Sequence, residues 1–234
     1  MNSAEEVFYS SEALDDSDIG LTLDRLPVGS RYELVQHSLD SNPATYQGTL
    51  VELGCGDGRH LRYIQKRYGF ENALGFDLRY SKTIEIGQVK FQSANLNHDF
   101  PIETGKCDVM MAMMIFEHLF NPWHSFSEVY RCLSPSGRAF INLPLITSVK
   151  NRLRLLFGSM PQTSIPYSRW AESGTWDGFH LHSFTLNSIY DLCEKSNLKV
   201  ERVQACGSFP HLKSMWIRGL CNEVSFEVSR ISKS

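Results

Sequence analysis

Short apolar runs alternate with amphipathic stretches over most of this chain. Runs typical of buried strands lie at residues 50–53, 73–76, 89–92 and 109–113. Alternating polar and apolar positions predict two further strands, at residues 137–143 and 198–205. Helical spacing of apolar residues predicts helices over residues 30–42, 59–68, 81–87, 121–133, 148–158 and 185–196. Strands that alternate with helices in this way indicate an α/β fold with a largely parallel sheet.

A glycine-rich turn separates the first strand from the helix that follows it. Three glycines fall within five residues, Gly54, Gly56 and Gly58, and Glu52 precedes them. Glycine at such a turn lets the backbone approach a nucleotide closely, because it has no Cβ. A turn that holds a dinucleotide pyrophosphate has the spacing G-x-G-x-x-G, but here the last of those positions is Arg59. The spacing therefore disfavours an NAD(P)-dependent oxidoreductase, which stays an alternative.

An acidic residue, Asp77, directly follows the second predicted strand. It lies 19 residues beyond Gly58, close to the separation at which an acid meets ribose hydroxyls in related nucleotide folds. The carboxyl ends of the strands are the edge at which open α/β sheets bind ligands. Two roles stay open for Asp77: it accepts hydrogen bonds from a ribose, or it caps the predicted helix that follows.

The glycine turn with Glu52 resembles motif I of the class I S-adenosylmethionine-dependent methyltransferases. A second segment, CDVMMAMMIFEHL at residues 107–119, resembles motif IV of the same family, and RCLSPSGRAFINLP at residues 131–144 matches its next helix, turn and strand. The resemblance implies a Rossmann-like, doubly wound, mostly parallel seven-stranded sheet with helices on both faces. Its last strand is expected to be antiparallel, and residues 209–220 are the candidate for it.

The same resemblance implies S-adenosyl-L-methionine as the cofactor. Asn95, where the family commonly has Asp, is expected to pair with the adenine amine, and Leu96 to pack on the adenine; Asn95 is equally typical of a turn. The residues expected to bind the cofactor are Glu52, Gly54, Cys55, Gly56, Gly58, Asp77, Leu78, Asn95, Leu96 and Met113.

An insertion at residues 145–183 interrupts the alternation and is expected to cover the substrate pocket, as insertions do at this point in the resembled family. Its aromatic residues and histidines are candidates for the pocket wall: Tyr167, Trp170, Trp176, Phe179, His180 and His182. Its basic residues, Lys150, Arg152 and Arg154, either attract an anionic substrate or form a solvated helix face.

Three histidines are the candidate general bases, because imidazole suits proton abstraction at neutral pH. They are His118, which follows the fourth predicted strand, and His180 and His182 in the insertion. His118 has an alternative role, in which it bonds to backbone and fixes its loop. A metal site formed by Glu117 with the three histidines is conceivable, but nothing in the spacing requires it, and no metal is predicted.

Composition limits the cellular compartment and the kinds of binding partner that are expected. The formal net charge of −3 gives no global attraction to nucleic acid. The six cysteines are scattered without a C-x-x-C pair, the N-terminus has no signal peptide, and no run is long enough to span a membrane, so a cytoplasmic protein is expected. The predicted partner is a small-molecule, lipid-like or saccharide acceptor, methylated at O, N or C, and the oligomeric state is left open.

The predicted organisation is a leader and helix over residues 1–48, a possible cap, followed by a methyltransferase domain over residues 49–234. A methyltransferase-like regulatory or scaffolding subunit without catalysis is the alternative to an enzyme.

Overall fold

A computed structural model describes residues 26–41 and 48–231. The acidic leader therefore lies outside the described residues up to residue 25, as does the predicted helix end at Asn42 and Pro43. The α-helices are α1 (Glu33–Ser41), α2 (Arg59–Tyr68), α3 (Pro122–Cys132), α4 (Val149–Leu156), α5 (Trp170–Ser173), α6 (Leu186–Lys195), α7 (Pro210–Ser214) and α8 (Ile217–Leu220). The strands are β1 (Thr49–Leu53), β2 (Asn72–Phe76), β3 (Ile84–Ile86), β4 (Val89–Gln92), β5 (Cys107–Met113), β6 (Leu133–Pro144), β7 (Leu198–Ala205) and β8 (Glu223–Arg230).

The strands form a single mixed sheet in the order β3-β4-β2-β1-β5-β6-β8-β7. The inner pairs β4–β2, β2–β1, β1–β5 and β5–β6 are parallel, as expected for a Rossmann-like fold. The last strand, β8, is antiparallel to both of its neighbours, β6 and β7. The predicted fold class is thus confirmed, with eight strands among the described residues instead of seven.

The additional strand replaces a predicted helix. Residues 81–87 do not form a helix; Ile84–Ile86 instead pairs antiparallel with Val89–Gln92. Gly87, at φ +60°, makes the tight turn between the two strands. The helical prediction was wrong because a segment this short has no clear period, and the isoleucines serve a hairpin equally well.

The predicted position of the last strand was also wrong. Residues 209–220 contain the short helices α7 and α8, and β8 lies further along, in a segment whose alternation looks like a polar tail. Both faces of β8 are covered: Val224, Phe226 and Val228 enter the main core, and Glu227 on the opposite face is also buried. The Glu227 carboxylate accepts from Arg202 Nε at 2.6 Å. A buried ion pair thus gave a central strand the appearance of a surface segment.

Two smaller expectations concern turns. The predicted tight turn at residues 134–137 is part of β6, whose pairing with β5 shifts register between Cys107 and Val109. The predicted helix start at residue 185 is confirmed, because Thr185 caps α6 with its side chain accepting from Ser188 N in a capping box. Gly69 caps α2 in the left-handed conformation.

Two apolar clusters lie on the two faces of the sheet. The larger one packs α3 and α6 against β5, β6 and β8, and the other packs α1 and α2 against β1, β2 and β4. The insertion leaves this sheet and returns to it at one point, because Leu145 and Phe184 form a parallel bridge. Within the described parts of the chain, no helix combines the length and apolar character needed to cross a membrane.

Candidate active site

A cavity of about 620 Å³ opens where the glycine turn meets the end of β5 and the segment before α1. The wall is rich in charge, with three arginines and two acids. It is lined by Gly29, Ser30, Arg31, Tyr32, Gly54, Cys55, Gly56, Asp57, Arg59, His60, Arg79, Met113, Gly207 and Glu223. The cavity therefore lies at the carboxyl edge of the sheet, where α/β folds bind ligands.

Glycine is needed at the three positions of the turn for different structural reasons. A Cβ on Gly58 would lie 2.1 Å from the Phe91 ring, and one on Gly54 would lie 2.9 Å from Ile115 Cδ1. A Cβ on Gly56 would meet no atom within 4 Å, although this residue also has a positive φ, +57°. Gly54 and Gly58 thus admit neighbouring side chains, whereas Gly56 leaves open space on the cavity side. This is the cradle that a closely bound cofactor would fill.

Asp77 joins the glycine turn to the end of β2. Its carboxylate accepts from Gly56 N at 2.9 Å and from Arg79 N at 3.0 Å. No helix follows it, since residues 78–83 are turns and bends before β3. The capping role considered for Asp77 is therefore excluded. A carboxylate has about four acceptor positions, so oxygen lone pairs are left for a ligand.

Glu52 lies beneath the turn and is fully buried. It accepts a 2.6 Å hydrogen bond from the Tyr32 hydroxyl, and the Tyr32 ring stacks on His60 with 4.0 Å between ring centroids. Burial raises the pKa of Glu52 to about 8, although the Tyr32 bond opposes this shift. Glu52 therefore fastens the segment before α1 to the turn and does not itself line the cavity.

The remaining predicted cofactor residues fall into two groups. Gly54, Cys55, Gly56 and Met113 line the cavity together. The others do not line it: Glu52 and Gly58 lie behind the turn, Asp77 bonds to it, and Leu78, Asn95 and Leu96 lie further away. Leu78 is largely exposed, and Leu96 is buried in the main core. Asn95 Oδ1 accepts from Asn97 N at 3.1 Å, which is the turn role considered for it.

Several residues that line the cavity were not predicted from the sequence. Arg31 pairs with Glu223 at 3.2 Å across the cavity wall, although they are 192 residues apart along the chain. Gly207 N donates to Gly29 O at 2.8 Å and closes the same wall. Only the order of the sheet brings these segments together, so no local signal marked them. Arg59, which occupies the last glycine position of the dinucleotide spacing, also lines the cavity. Its Nε donates to Asp57 at 2.6 Å.

A second polar cluster lies beyond the end of β5, where Glu117 faces two histidines. Glu117 Oε1 lies 4.0 Å from His118 Nε2 and 3.9 Å from His180 Nε2. The imidazole rings of His118 and His180 meet edge to face, 4.8 Å apart. The backbones of the insertion and of the segment after β5 are also joined here, because Leu181 N donates to Glu117 O at 2.8 Å. The insertion is thus fastened to the strand exit that carries the Phe-Glu-His sequence.

The titration of this cluster is set by burial. Burial raises the pKa of the fully buried Glu117 to about 8. It lowers the pKa of His118, and it lowers that of His180 to about 4, where the neighbouring His118 adds to the effect. Both imidazoles are therefore neutral at pH 7, the state in which a histidine can accept a proton.

Of the three predicted catalytic histidines, the structure brings His118 and His180 together. His182 points elsewhere: its Nε2 lies 2.9 Å from Leu119 O, a carbonyl to which it can only donate. Three of the other predicted wall residues form an aromatic cluster within the insertion, with Trp170 between Tyr167 and Trp176, whereas the Phe179 side chain is exposed. None of these four residues lines the cavity. Among the basic residues, Lys150 and Arg152 are exposed on α4, and Arg152 donates to Thr147 O and Arg218 O, which favours a solvated helix face over attraction of a substrate.

The sequence matches the family model described as a methyltransferase domain over residues 30–203. The chain belongs to this methyltransferase family. The match includes both the glycine turn and the Phe-Glu-His cluster, and it confirms the resemblance to class I methyltransferases. A curated relative, a malonyl-[acyl-carrier protein] O-methyltransferase from a Marinomonas species, is 20% identical over 166 residues, which are 68% of this chain and 55% of that protein. The chain thus spans about half the length of this relative.

Solved structures of methyltransferases share the fold. An S-adenosylmethionine-dependent methyltransferase from Mesorhizobium loti has a TM-score of 0.61 at 15% identity, over 86% of this chain and 99% of that one. Geranyl diphosphate C-methyltransferase from Streptomyces coelicolor A3(2), a complex with Mg²⁺, geranyl diphosphate and S-adenosyl-L-homocysteine, has a TM-score of 0.56 at 15% identity. That match covers 86% of this chain and 78% of the other. At these identities the likeness concerns the fold.

Proposed function

We propose that this chain is an S-adenosylmethionine-dependent methyltransferase that acts on a small-molecule acceptor. The observation that carries the proposal is the open space at Gly56, which faces a cavity of about 620 Å³ beside Asp77 in a chain of the methyltransferase family. A side chain at this position would occupy the space that a cofactor needs. The family match favours this function over the NAD(P)-dependent oxidoreductase.

The residues around the turn have distinct tasks in this proposal. Gly56 admits the cofactor close to the backbone, and Asp77 accepts from the ribose hydroxyls with the lone pairs that Gly56 N and Arg79 N leave free. The cavity arginines, Arg31 and Arg79, offer positive charge to the cofactor carboxylate. When bound, S-adenosylmethionine supplies an electrophilic methyl group. The protein then contributes alignment and the exclusion of water.

The proton of a hydroxyl or amine acceptor would go to His180 or His118. Both are neutral at pH 7, and their Nε2 atoms lie 4.0 and 3.9 Å from Glu117 Oε1, too far for a hydrogen bond. His182 is the weaker candidate because its Nε2 donates to a backbone carbonyl. An acceptor that is already a carboxylate would not need this base. Methyl transfer to oxygen and to carbon are both named among the similar proteins, which include the malonyl-[acyl-carrier protein] O-methyltransferase and the geranyl diphosphate C-methyltransferase.

The setting we propose is the cytoplasm. All six cysteines are unpaired and buried, as suits a reducing compartment.

Isothermal calorimetry with S-adenosylhomocysteine tests the cofactor directly. We expect one molecule to bind per chain, and complete absence of binding would overturn the proposal. A homocysteine-release assay, run with panels of hydroxyl, amine, carboxyl and prenyl acceptors, then identifies the acceptor class. Binding of the cofactor without turnover on any panel would favour the regulatory or scaffolding subunit.

A further inference from the structure

The cluster of Glu117, His118 and His180 has a feature that methyl transfer does not require. Three groups with lone pairs face one another, and among the described residues no hydrogen bond joins them. We propose that these three residues bind one divalent transition-metal ion, with Zn²⁺ as the best match. The site itself does not depend on the proposed function.

The carboxylate provides the first observation. Glu117 is fully buried, and neither Oε1 nor Oε2 has a hydrogen-bond partner among the described residues. A buried polar group without a partner is costly to stability, and an unpaired buried charge is more so. Other buried carboxyl groups have at least one partner: Glu227 pairs with Arg202, and Glu52 accepts from Tyr32 through Oε1, although Glu52 Oε2 has none among the described residues. A cation bound to Glu117 would supply the partner that the protein does not.

The hydrogen bonds of the imidazoles provide the second observation. His118 Nδ1 lies 3.1 Å from Phe179 O, a carbonyl that only accepts, so this nitrogen carries the hydrogen. His180 Nδ1 lies 2.7 Å from Thr163 Oγ1, whose own hydrogen is donated to Asp177 Oδ2 at 2.6 Å. His180 Nδ1 must therefore donate as well.

Both neutral imidazoles consequently direct an unprotonated Nε2 toward Glu117. Partners that hold the far nitrogen of a histidine in this manner are typical of metal ligands, because they fix the ring and its tautomer. The second partners here are a backbone carbonyl and a Thr163–Asp177 pair. Asp177 is itself held by two more donors, Thr163 N at 3.1 Å and Ser164 N at 3.0 Å.

The distances agree with one shared ion. The ligand atoms of the three residues all lie within 4.8 Å of one another. Two ligands that are each about 2.1 Å from one zinc ion can be at most ~4.2 Å apart. That limit is reached only by ligands on opposite sides of the ion; in a tetrahedral site the ligand atoms are ~3.4 Å apart, so the Glu117–histidine separations of 4.0 and 3.9 Å would have to shorten by side-chain rotation on binding.

The donor set indicates which ion is expected. Two imidazole nitrogens with one carboxylate suit Zn²⁺ and other late transition metals better than Mg²⁺ or Ca²⁺, which prefer oxygen ligands. Three protein ligands also leave a coordination position open, as in zinc sites that bind a water or a substrate. The access is from the side of His118, whose side chain is 33% exposed, whereas that of His180 is 5% exposed.

This site revises the expectation of no metal that was drawn from the sequence. His182, which had been considered with the other three residues, is not a ligand, because its Nε2 is engaged by Leu119 O. The acidic and imidazole ligands come from two segments, residues 117–118 and residue 180, that are joined by the bond from Leu181 N to Glu117 O. If the proposed function also holds, the two Nε2 atoms hold the ion and do not take the acceptor proton; an acceptor hydroxyl bound at the open position would instead be made more acidic by the ion.

The test is metal binding by the full chain after treatment with a chelator. We expect calorimetry with Zn²⁺ to give one ion per chain, and Co²⁺ to produce the visible absorption of a low-coordinate site with nitrogen and oxygen ligands. Glu117→Gln and His180→Ala should each abolish this binding. His37→Ala, which removes an exposed histidine from α1, should bind Zn²⁺ as the wild type does.

The outcomes separate this proposal from the proposed function. No stoichiometric Zn²⁺ or Co²⁺ binding by the wild type would overturn the metal site, and so would wild-type binding by both Glu117→Gln and His180→Ala. The Co²⁺ spectrum of the wild type decides the matter even if a variant fails to fold. Binding of S-adenosylhomocysteine to the metal-free chain is measured separately, so that failure of the cofactor site is recognised independently.

Discussion

The glycine turn and the insertion are two regions of one protein that are held in opposite ways. The turn, residues 54–58, is fixed by backbone geometry and by contacts with neighbouring strands, such as Gly54 N and Cys55 N with Phe76 O. The insertion, residues 145–183, is held internally by side-chain hydrogen bonds among Thr163, Asp177 and His180, and it joins the strand exit through the bond from Leu181 N to Glu117 O. A site at the ends of sheet strands can be recognised from short sequence motifs. The arrangement of a site that includes an insertion depends on residues far apart in the sequence.

Each region adjoins one buried carboxyl group, Glu52 under the turn and Glu117 where the insertion meets the strand exit, and Glu52 yields the largest expected effect. The pKa of Glu52 is about 8 in the folded protein and about 4.5 when exposed. Between these pH values the folded state holds a proton that the unfolded state has lost, so the free energy of unfolding falls as pH rises. The full shift corresponds to a loss of up to about 5 kcal/mol, reached near pH 8.

Glu52→Gln should remove this loss, because the amide does not titrate and its oxygen still accepts from Tyr32. Urea denaturation at several pH values from 5 to 8 measures the effect. Glu117 gives a slope of the same sign, so the result is the difference between wild type and variant. Equal slopes in the two proteins would show that Glu52 is ionised under the turn.

The glycines give the next largest effect and divide the turn into structural and ligand-facing positions. Gly58→Ala should lower the free energy of unfolding by about 2–5 kcal/mol, because it combines a left-handed residue with a Cβ 2.1 Å from Phe91. Gly56→Ala should cost only the backbone part, about 1–2 kcal/mol. It should also weaken S-adenosylhomocysteine binding by about tenfold or more, or ~1.4 kcal/mol.

Denaturation and calorimetry on both variants check this pair. Similar losses of stability in Gly56→Ala and Gly58→Ala would contradict the distinction, and so would unchanged cofactor affinity in Gly56→Ala.

The same contrast explains what could be predicted from sequence. The turn, β1, β2, β4 and β5 were found because buried strands and glycines at positive φ leave a local pattern. β8 was missed because its polar face is buried against Arg202 and Ser38, so that its alternation resembles a surface segment. Residues 81–87 were misassigned because three residues of a hairpin cannot be told from one turn of a helix.

The site shows the same limit. The position of Asp77 beside the turn could be predicted because it depends on one strand end and one turn; its role toward the ribose stays a prediction. Arg31 and Glu223, which line the cavity, meet only after β8 has been inserted between β6 and β7. The chemical types of Glu117, His118 and His180 were recognised in sequence, but their mutual arrangement follows from the fold of the insertion. Local chemistry was therefore predictable, and its long-range partners were not.

A smaller effect is expected from Asp77, which tests whether the turn is organised for a ligand. Asp77→Ala should weaken S-adenosylhomocysteine binding by more than ~1.5 kcal/mol, the scale of a lost hydrogen bond to a charged group. Calorimetry measures the change, and Asp191→Ala, at an exposed position on α6, serves as the control with the same change of charge. Wild-type affinity in Asp77→Ala would show that this carboxylate does not hold the ribose.

The smallest effect concerns the attachment of the insertion. Thr163→Val removes the hydroxyl that links Asp177 to His180 and leaves the backbone bond from Thr163 N to Asp177 in place. Measured without metal, the free energy of unfolding should fall by about 1 kcal/mol, the typical net contribution of a hydrogen bond. Hydrogen exchange at Leu181 N, which donates to Glu117 O, should become faster, while exchange in β1 stays the same. Thr175→Val, in the same insertion but away from His180, is the matched control. If exchange at Leu181 were equally slow in both variants, the Thr163 link would not be what holds the insertion to the strand exit.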